Sequence, residues 1–299
     1  MKDPRIVVAI PCYNEEASIA DVVRDFQRHL PEAEVHVFDN ASTDRSAALA
    51  AEAGAVVHAV LRRGKGNVMR RVLGSFPVDA LIIIDGDGTY LAEDARRLLA
   101  PVLEGRADMT VGDRLEKADR HALVEMHRFG NEVIVATINM AFGTAFKDVL
   151  SGYRCLGRRF IEEVPLLTPG FETEVELTLQ ALEDEMEILE VPVAYRSRPV
   201  NSCSKLRPYS DGWRIILTIA MLLRDHYPLR FHFAVGSLLF LTSAAVLFLR
   251  HGFVAAFLAL LAFFVVGQGF LLNTIGTRFR EFKQISLRLR RFDDERRGK

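Results

Sequence analysis

The sequence predicts an α/β domain with a mostly parallel sheet, followed by a hairpin of two membrane-spanning helices. Short apolar segments alternate with segments of helical periodicity over most of the chain up to about Pro228, a pattern typical of a sheet whose strands are joined by helices. Polar clusters follow several of the apolar segments. Two long apolar runs lie beyond Pro228, and each is long enough to cross a membrane.

The predicted strands are short, apolar and mostly rich in β-branched residues, as expected of strands buried on both faces of a parallel sheet. In chain order they are Arg5–Ile10, Glu34–Phe38, Ala55–Val60, Ala80–Ile84, Met109–Val111 and Glu187–Tyr195. The segment Asp148–Arg154, which contains a Ser-Gly pair, is predicted to be a loop.

The predicted helices carry apolar residues at helical spacing. They are Ala17–Leu30, Arg45–Ala53, Lys65–Leu73, Glu93–Leu103, Arg128–Phe142 and Glu172–Leu182. Ser42 and Thr43 are candidate N-caps of the second helix. Asp211–Arg224 is amphipathic, and the sequence leaves open whether it lies flat at a membrane interface or packs on the domain core.

The runs Phe231–Leu249 and Phe253–Leu272 are nearly uncharged, and Arg250–Gly252 separates them. About 20 helical residues cross a hydrocarbon core of roughly 30 Å, so the two runs predict a membrane hairpin rather than the alternative, a buried soluble hairpin. Arginines flank both outer ends, and the positive-inside tendency places these ends in the cytoplasm. We therefore expect an integral protein of the inner or plasma membrane with a cytoplasmic globular domain. The predicted divisions are 1–210 for the globular domain, 211–228 for a juxtamembrane helix, 229–275 for the hairpin and 276–299 for a basic tail.

Composition excludes several classes of protein. Hydrophobic residues make up 49% and charged residues 26% of the chain, so it is neither disordered nor uniformly apolar. A formal net charge of -1 gives no support for nucleic-acid binding. The positive charge is local, in Arg196–Arg207 and Arg278–Arg297. The cysteines lack metal-ligand spacing and suit a reducing compartment.

Polar clusters at the ends of predicted strands point to one site. Tyr13–Glu16, Asp39–Asp44 and Asp85–Asp87 each follow a strand, and ligands of such sheets bind beyond the carboxyl ends of the strands. Mg²⁺ and Mn²⁺ prefer oxygen ligands, often one or two carboxylates together with substrate phosphates. Asp85 and Asp87 are therefore candidate metal ligands, although Asp-Gly-Asp also forms ordinary turns.

Asp39, Asp44 and Lys65 are further candidates for the same site. The carboxylates of Asp39 and Asp44 could accept hydrogen bonds from a nucleotide base or ribose, and a capped helix start is the alternative for Asp44. Lys65 lies between two glycines. It either reaches a diphosphate or is a solvated loop lysine.

Four motifs together resemble family 2 of the inverting glycosyltransferases, which have the GT-A fold. They are Pro11–Glu16 (PCYNEE), Asp39–Asp44 (DNASTD), Asp85–Asp87 (DGD) and Asp148–Arg154 (DVLSGYR). Within that family the chain is similar to the polyprenyl-phosphate glycosyltransferase and dolichol-phosphate mannose synthase branch. The resemblance covers roughly Arg5 to Tyr209, and the hairpin extends it to members with two C-terminal membrane helices. It implies a nucleotide-sugar donor, Mg²⁺ or Mn²⁺, a polyprenyl-phosphate acceptor in the membrane, and leaves open a homo-oligomer.

The resemblance also implies roles for individual residues. On the donor side, the residues that would hold the nucleoside are Pro11, Tyr13, Glu15 and Asp39. Asp85 and Asp87 would hold the metal and the donor diphosphate, with Asp87 the closer ligand. On the acceptor side, Arg114, Ser151 and Arg154 would bind the acceptor phosphate, and Glu174 would line the sugar pocket. The residues of the basic loop that would close over the phosphates are Arg196, Arg198, Ser204 and Lys205.

One departure bears on the donor. Mannose synthases of this branch follow their Asp-x-Asp with Leu-Gln, whereas this chain has Gly88-Thr89-Tyr90. The form DGDGTY is more similar to relatives that use UDP-sugars, and GDP-mannose is the alternative donor. A transferase with a hydroxyl acceptor, in which Glu174 would be the base, is a second interpretation. A non-catalytic membrane adaptor is a third, and the presence of both aspartates argues against it.

Overall fold

The computed structural model describes residues 3–118, 125–164, 173–197, 220–221, 223–225, 227–249 and 251–297. The chain divides into two compact units, Met1–Tyr209 and Ser210–Lys299. The predicted amphipathic segment Asp211–Arg224 lies mostly outside the described residues, and so does most of the basic loop that begins at Arg196.

The first unit contains a seven-stranded sheet with the strand order β3-β2-β1-β4-β6-β5-β7. The strands are β1 (Ile6–Cys12), β2 (Glu34–Asp39), β3 (Val56–Ala59), β4 (Ala80–Ile83), β5 (Met109–Ala118), β6 (Arg154–Gly157) and β7 (Ile188–Tyr195). All neighbouring pairs are parallel except those of β6, which is antiparallel to both β4 and β5. The predicted mostly parallel sheet is confirmed.

Helices cover both faces of this sheet. They are α1 (Ile19–His29), α2 (Ser46–Glu52), α3 (Lys65–Leu73), α4 (Ala95–Leu103), α5 (Glu125–Phe142), α6 (Arg158–Glu163) and α7 (Thr173–Glu183). Alternate residues of β1 enter different cores: Val8 packs in the cluster that includes Phe26, and Val7 in the cluster that includes Met69. A strand with two buried faces needs apolar residues throughout, which is why the first strands appear in the sequence as continuous apolar runs.

Two elements were not predicted, and one is longer than predicted. Arg154 does not end a loop but begins strand β6, and α6 follows directly. Strand β5 continues past Val111 to Ala118, so Asp113 and Arg114 lie within it. Over Met109–Val111 the strand pairs with both β6 and β7, whereas beyond Val111 it pairs with β7 alone. Asp113 is nonetheless buried, and its Oδ1 accepts the Leu115 N–H at 2.9 Å.

The predicted N-caps of α2 are wrong. The helix begins at Ser46 with Arg45 at the N-cap position. The Ser42 hydroxyl instead accepts the Asn14 N–H at 3.0 Å, and the Thr43 N–H donates to the Asn14 side-chain oxygen at 2.8 Å. Both residues therefore join the loop after β1 to the loop after β2.

The second unit contains α8 (Pro228–Phe248) and α9 (Gly252–Arg297). Small residues bring the two helices close together: a Cβ at Gly236 would overlap Val266, and a Cβ at Gly269 would overlap His232. Such contacts are typical of helix pairs in membranes. In each helix only 17% of the apolar 18-residue stretch is buried. Both helices are long and apolar enough to cross a membrane. The predicted pair of apolar helices is confirmed, and the predicted basic tail is the continuation of α9.

Candidate active site

The carboxyl ends of β1, β2 and β4 meet at one edge of the sheet. Cys12 pairs with Asp39 in the ladder between β1 and β2, and Asp85 lies just beyond β4. The Ser18 hydroxyl donates to the Gly86 carbonyl at 2.7 Å, which ties the start of α1 to the Asp85–Asp87 loop. A Cβ at Gly86 would lie 3.2 Å from Ile19 and 3.3 Å from Ile10, so a larger residue would fit there only if these side chains shifted.

Asp39 has a buried oxygen that a ligand could satisfy. Its Oδ2 accepts the Ser42 N–H at 3.3 Å. Its Oδ1 is buried and has no hydrogen-bond partner among the described residues. A buried acceptor without a partner costs free energy, about 1–3 kcal/mol, that a donor from a base or ribose would recover. Asp39 therefore fits the nucleoside contact predicted for it.

The other predicted nucleoside contacts surround the same strand ends. Pro11 lies in β1 and is half-buried, and Glu15 is buried just beyond the strand. The guanidinium of Arg63 lies over the Tyr13 ring, 5.1 Å from its centroid. The loop that carries Arg63 is held by Asn40, whose side chain donates to the Arg62 carbonyl and accepts the Gly64 N–H, both at 2.8 Å. These residues lie at the same edge of the sheet as Asp39.

Asp44 is engaged within the protein. Its Oδ1 accepts the Ser46 N–H at 2.9 Å and the Ser46 hydroxyl at 2.6 Å, and its Oδ2 accepts the Glu16 N–H at 3.3 Å. Burial raises the pKa of Asp44, but these hydrogen bonds outweigh burial and hold the pKa below its ordinary value. Asp44 thus orders the start of α2, which is the alternative that its position suggested.

Lys65 joins two carboxylates at the centre of the site. Its ammonium lies 2.6 Å from Asp85 Oδ1 and 2.5 Å from Glu174 Oε1. Burial lowers the pKa of Lys65, but the two carboxylates outweigh burial and raise it well above its ordinary value. The side chain is only 16% exposed, so the solvated loop lysine is ruled out. Lys65 is a permanent positive charge beside the Asp85–Asp87 loop.

Asp87 lies at the base of a tight turn. It is 5% exposed, and its Oδ1 accepts the Thr89 N–H at 3.1 Å and the Thr89 hydroxyl at 2.7 Å. Gly88 has a φ of 74°, a conformation that favours glycine. The turn therefore fixes the direction of the Asp87 carboxylate.

Asp85 and Asp87 provide oxygen ligands that fit Mg²⁺ or Mn²⁺. No group of three or more His, Cys, Asp or Glu side chains suited to a metal ion occurs in the part of the chain that the structure describes. An ion held by the Asp85 and Asp87 carboxylates would take its remaining ligands from phosphate and water oxygens.

Arg114 forms a two-pronged ion pair. Its Nε and Nη2 donate to the two carboxylate oxygens of Asp148 at 2.6 and 2.8 Å. Asp148 is fully buried, whereas the Arg114 side chain is 14% exposed. The guanidinium also lies over the Tyr195 ring at 5.5 Å. Arg114 therefore forms an ion pair inside the domain, while part of its side chain remains accessible.

Arg154 lies in the core, away from any solvent. It is 1% exposed. Its guanidinium donates to the Ser151 and Val149 carbonyls at 3.0 and 2.7 Å and to the Thr178 hydroxyl at 2.9 Å. Burial lowers the pKa of Arg154 to about 10. Since each guanidinium nitrogen donates within the protein, this placement does not support the predicted direct contact with an acceptor phosphate, and Arg154 instead holds the turn before β6.

Ser151, a predicted phosphate ligand, is also fully buried. Its hydroxyl lies 3.3 Å from the Tyr90 hydroxyl and accepts the Tyr153 N–H at 3.4 Å. The next residue, Gly152, lies so close to Asp85 that a Cβ there would overlap the carboxylate. Gly152 was not among the predicted site residues, and Tyr90 was considered only as a departure from a motif, although Gly152 lies in DVLSGYR and Tyr90 in DGDGTY.

The basic loop begins beside the Asp85–Asp87 turn. The Arg196 N–H donates to the Thr89 carbonyl at 2.8 Å, and Tyr195 pairs with Tyr90 in an isolated bridge. The Arg196 side chain is exposed. Arg198, Ser204 and Lys205 lie outside the described residues, so their roles remain predictions.

Residues 7–163 match the family model described as Glycosyl transferase family 2. The chain belongs to this family. It is 35% identical over 232 residues to Glycosyltransferase AglJ of Haloferax volcanii, covering 77% of this chain and 76% of that protein. It is 27% identical over 211 residues to Polyprenol monophosphomannose synthase of Mycolicibacterium smegmatis, covering 65% and 78%.

A solved structure supports the fold of this family 2 glycosyltransferase. Glucosyl-3-phosphoglycerate synthase from Mycobacterium tuberculosis, in complex with Mn²⁺, UDP and glucosyl-3-phosphoglycerate, superposes with a TM-score of 0.58 at 24% identity. The match covers 74% of this chain and 79% of that one. At this identity the likeness shows a shared GT-A fold. The membership of family 2 that the motifs predicted is confirmed by the family match.

Proposed function

We propose that this family 2 glycosyltransferase moves a hexose from a nucleotide sugar, a UDP-hexose, to a polyprenyl phosphate with inversion at the anomeric carbon. The proposed globular domain comprises residues 1–210 and faces the cytoplasm. The proposed cofactor is Mg²⁺ or Mn²⁺, held by Asp85 and Asp87.

One observation carries the proposal: the loop that bears the two aspartates is in contact with the Asp148–Arg154 turn. Gly152 lies against the Asp85 carboxylate, and its N–H donates to the Tyr90 hydroxyl at 3.0 Å. Arg114 is held beside the same turn by Asp148. A donor diphosphate at the aspartates and an anionic acceptor at Arg114 would therefore be neighbours, which is the arrangement that direct transfer needs.

The residues of this chain account for both halves of the reaction. When bound, the metal would neutralise charge on the leaving diphosphate. Lys65 is a second, permanent cation beside the same carboxylates, and as the diphosphate binds it is positioned to contact the phosphate oxygens. Asp39 would receive a hydrogen bond from the nucleoside at its unpartnered oxygen.

The acceptor side needs no strong base. A phosphate monoester has a second pKa near 6, so its oxygen is already largely ionised at neutral pH. That oxygen forms the new bond to the anomeric carbon as the bond to the diphosphate breaks, and the nucleoside diphosphate leaves. Glu174, the candidate base of the hydroxyl-acceptor alternative, is instead held by Lys65 at 2.5 Å.

Two further observations support a lipid acceptor. The second unit has two helices whose apolar surfaces are mostly exposed and which are long enough to cross a membrane. The name of the mycobacterial relative describes a polyprenol monophosphate product. That name also specifies mannose, so GDP-mannose remains the donor to compare with the UDP-hexoses.

The substrate test uses membranes or detergent-solubilised full chain with undecaprenyl phosphate and a series of radiolabelled UDP-hexoses and GDP-mannose. We expect one UDP-hexose to give a lipid-linked product that mild acid releases as a free sugar. Label that appears only on a hydroxyl acceptor would support the alternative transferase. No transfer from any nucleotide sugar would contradict the proposal.

Replacing Arg114 with Lys is expected to raise the apparent KM for the lipid phosphate about tenfold or more, with the donor KM nearly unchanged. Lysine keeps a positive charge opposite buried Asp148 but lacks the Nη1 donor, which Asp148 does not engage and which could contact a phosphate. A hydrogen bond to a charged group contributes about 1.5–3 kcal/mol, and 1.4 kcal/mol is about tenfold. Arg106→Lys is the control, because Arg106 is exposed and pairs with Glu104. Equal KM increases for both substrates would contradict the acceptor role.

For topology, we expect a reporter fused after Lys299 to be cytoplasmic, and a reporter inserted at Gly252 to be on the opposite side of the membrane. The reason is that arginines flank the outer ends of the two apolar helices, and positive flanks stay in the cytoplasm. Paired alkaline phosphatase and fluorescent-protein fusions measure both positions. Alkaline phosphatase activity from the fusion after Lys299 would contradict the proposed sidedness.

A further inference from the structure

We infer that the hydroxyl of Tyr90 is a positioning group that sets the distance between the donor and acceptor halves of the site. It does so by holding Gly152 against the Asp85 carboxylate. The identity of the acceptor rests on the function proposed above, but the positioning itself does not.

Tyr90 is rigidly placed. It is 6% exposed. Its ring makes edge contacts with Tyr153, at 5.4 Å between centroids, and with Tyr195, at 5.1 Å. Its backbone also pairs with Tyr195. The ring therefore has little freedom, and its hydroxyl is held in one position.

The Tyr90 hydroxyl lies against the turn before β6. The Tyr90 hydroxyl accepts the Gly152 N–H at 3.0 Å and lies 3.3 Å from the Ser151 hydroxyl. Gly152 has no room for a Cβ, because the Asp85 carboxylate occupies that position. The hydrogen bond from Gly152 to Tyr90 thus keeps the backbone of the turn in contact with an aspartate of the donor side.

Two other side chains hold the same turn, but from the acceptor side or the core. Arg114 binds Asp148 at the start of the turn, and Arg154 donates to the Ser151 carbonyl from within the core. Of these three side chains, Tyr90 is the one that belongs to the loop carrying Asp85 and Asp87. Its hydroxyl therefore links the metal-binding loop to the turn that carries the partner of Arg114.

A matched control lies in the same aromatic cluster. The Tyr153 hydroxyl is buried and has no hydrogen-bond partner among the described residues. Removing it should cost nothing, whereas removing the Tyr90 hydroxyl leaves the Gly152 N–H buried without its acceptor. Tyr90→Phe and Tyr153→Phe both keep the ring and remove one oxygen atom.

The experiment measures hydrogen exchange of the Gly152 amide and steady-state kinetics with the full chain in detergent or nanodiscs. We expect Tyr90→Phe to speed exchange of this amide about three- to tenfold, in line with the loss of one hydrogen bond. We expect the apparent KM for the lipid phosphate to rise by a similar factor, with the donor KM changed less than twofold. Tyr153→Phe should leave all three quantities at their wild-type values.

The outcomes distinguish the positioning role of Tyr90 from its effect on the acceptor. Unchanged Gly152 exchange in Tyr90→Phe would overturn the inference, and so would an effect of Tyr153→Phe as large as that of Tyr90→Phe. Faster exchange with unchanged kinetics would overturn the link to the acceptor. If the wild-type protein transfers no sugar to lipid phosphate, the proposed function fails, and the exchange result alone then decides whether Tyr90 positions the turn.

Discussion

An Asp87→Asn variant is expected to lose sugar transfer by about a thousandfold or more while keeping its fold. Neutralising a metal ligand weakens the charge that stabilises the departing diphosphate, an effect of several kcal/mol, and 1.36 kcal/mol is about tenfold in rate. The fold should survive because an amide oxygen at Oδ1 can still accept both hydrogen bonds from Thr89. The measurements are the transfer rate at saturating substrates and the melting temperature.

Asp25→Asn is the matched control for this variant. The Asp25 side chain is half-exposed and pairs with Arg28 on the surface of α1, so its replacement should leave both activity and melting temperature near wild type. Full wild-type activity in excess EDTA would contradict the metal role of Asp85 and Asp87. A large fall in the melting temperature of Asp87→Asn would instead assign Asp87 to the structure of the turn.

An Arg154→Ala variant is expected to destabilise the globular unit by about 3–5 kcal/mol, a large share of the roughly 5–15 kcal/mol that stabilises an ordinary domain. The change removes a fully buried side chain and leaves the Ser151 and Val149 carbonyls and the Thr178 hydroxyl without their donor. Such groups each cost about 1–3 kcal/mol when left unsatisfied in the interior. The measurements are the thermal melt and the urea midpoint of the full chain.

Arg158→Ala is the control for this second variant, because Arg158 is exposed and its pair with Asp79 lies at the surface. Exposed pairs contribute about 0–1 kcal/mol. The two variants therefore separate a buried arginine from an exposed one four residues away. An intact melt of Arg154→Ala, with intact donor binding and lost lipid transfer, would restore Arg154 as a direct ligand of the acceptor phosphate.

The elements that the sequence predicted best are those with two buried faces or a long apolar stripe. Strands β1 and β4 appear as unbroken apolar runs because helices cover both sides of them. Strand β6 was missed because it is short and because it begins with Arg154. Arginine is rarely buried in folded proteins, so its presence argued against a buried strand. Its charge is tolerated only through contacts with distant residues such as Thr178, and no local pattern shows these.

The sequence predicted those residues of the candidate site that directly follow an apolar strand. Asp39, Asp85 and Asp87 follow apolar strands, and parallel strands bring their carboxyl ends to one edge. The contact of Lys65 with Glu174 was not predictable, because the two residues lie on different helices far apart in the chain. The same limit applied to Gly152, since its contact with Asp85 depends on β6 lying antiparallel beside β4.

Helix α9 runs without interruption from Gly252 to Arg297 and passes from an apolar to a basic composition. At 1.5 Å per residue its 46 residues form a rod of about 69 Å, well over twice the roughly 30 Å thickness of a hydrocarbon core. In a bilayer, any change in the tilt of such a long helix would displace its charged end by a distance that grows with the length of the helix. The glycine contacts that set the angle of α9 against α8 therefore also set the direction in which its charged end extends beyond a hydrocarbon core.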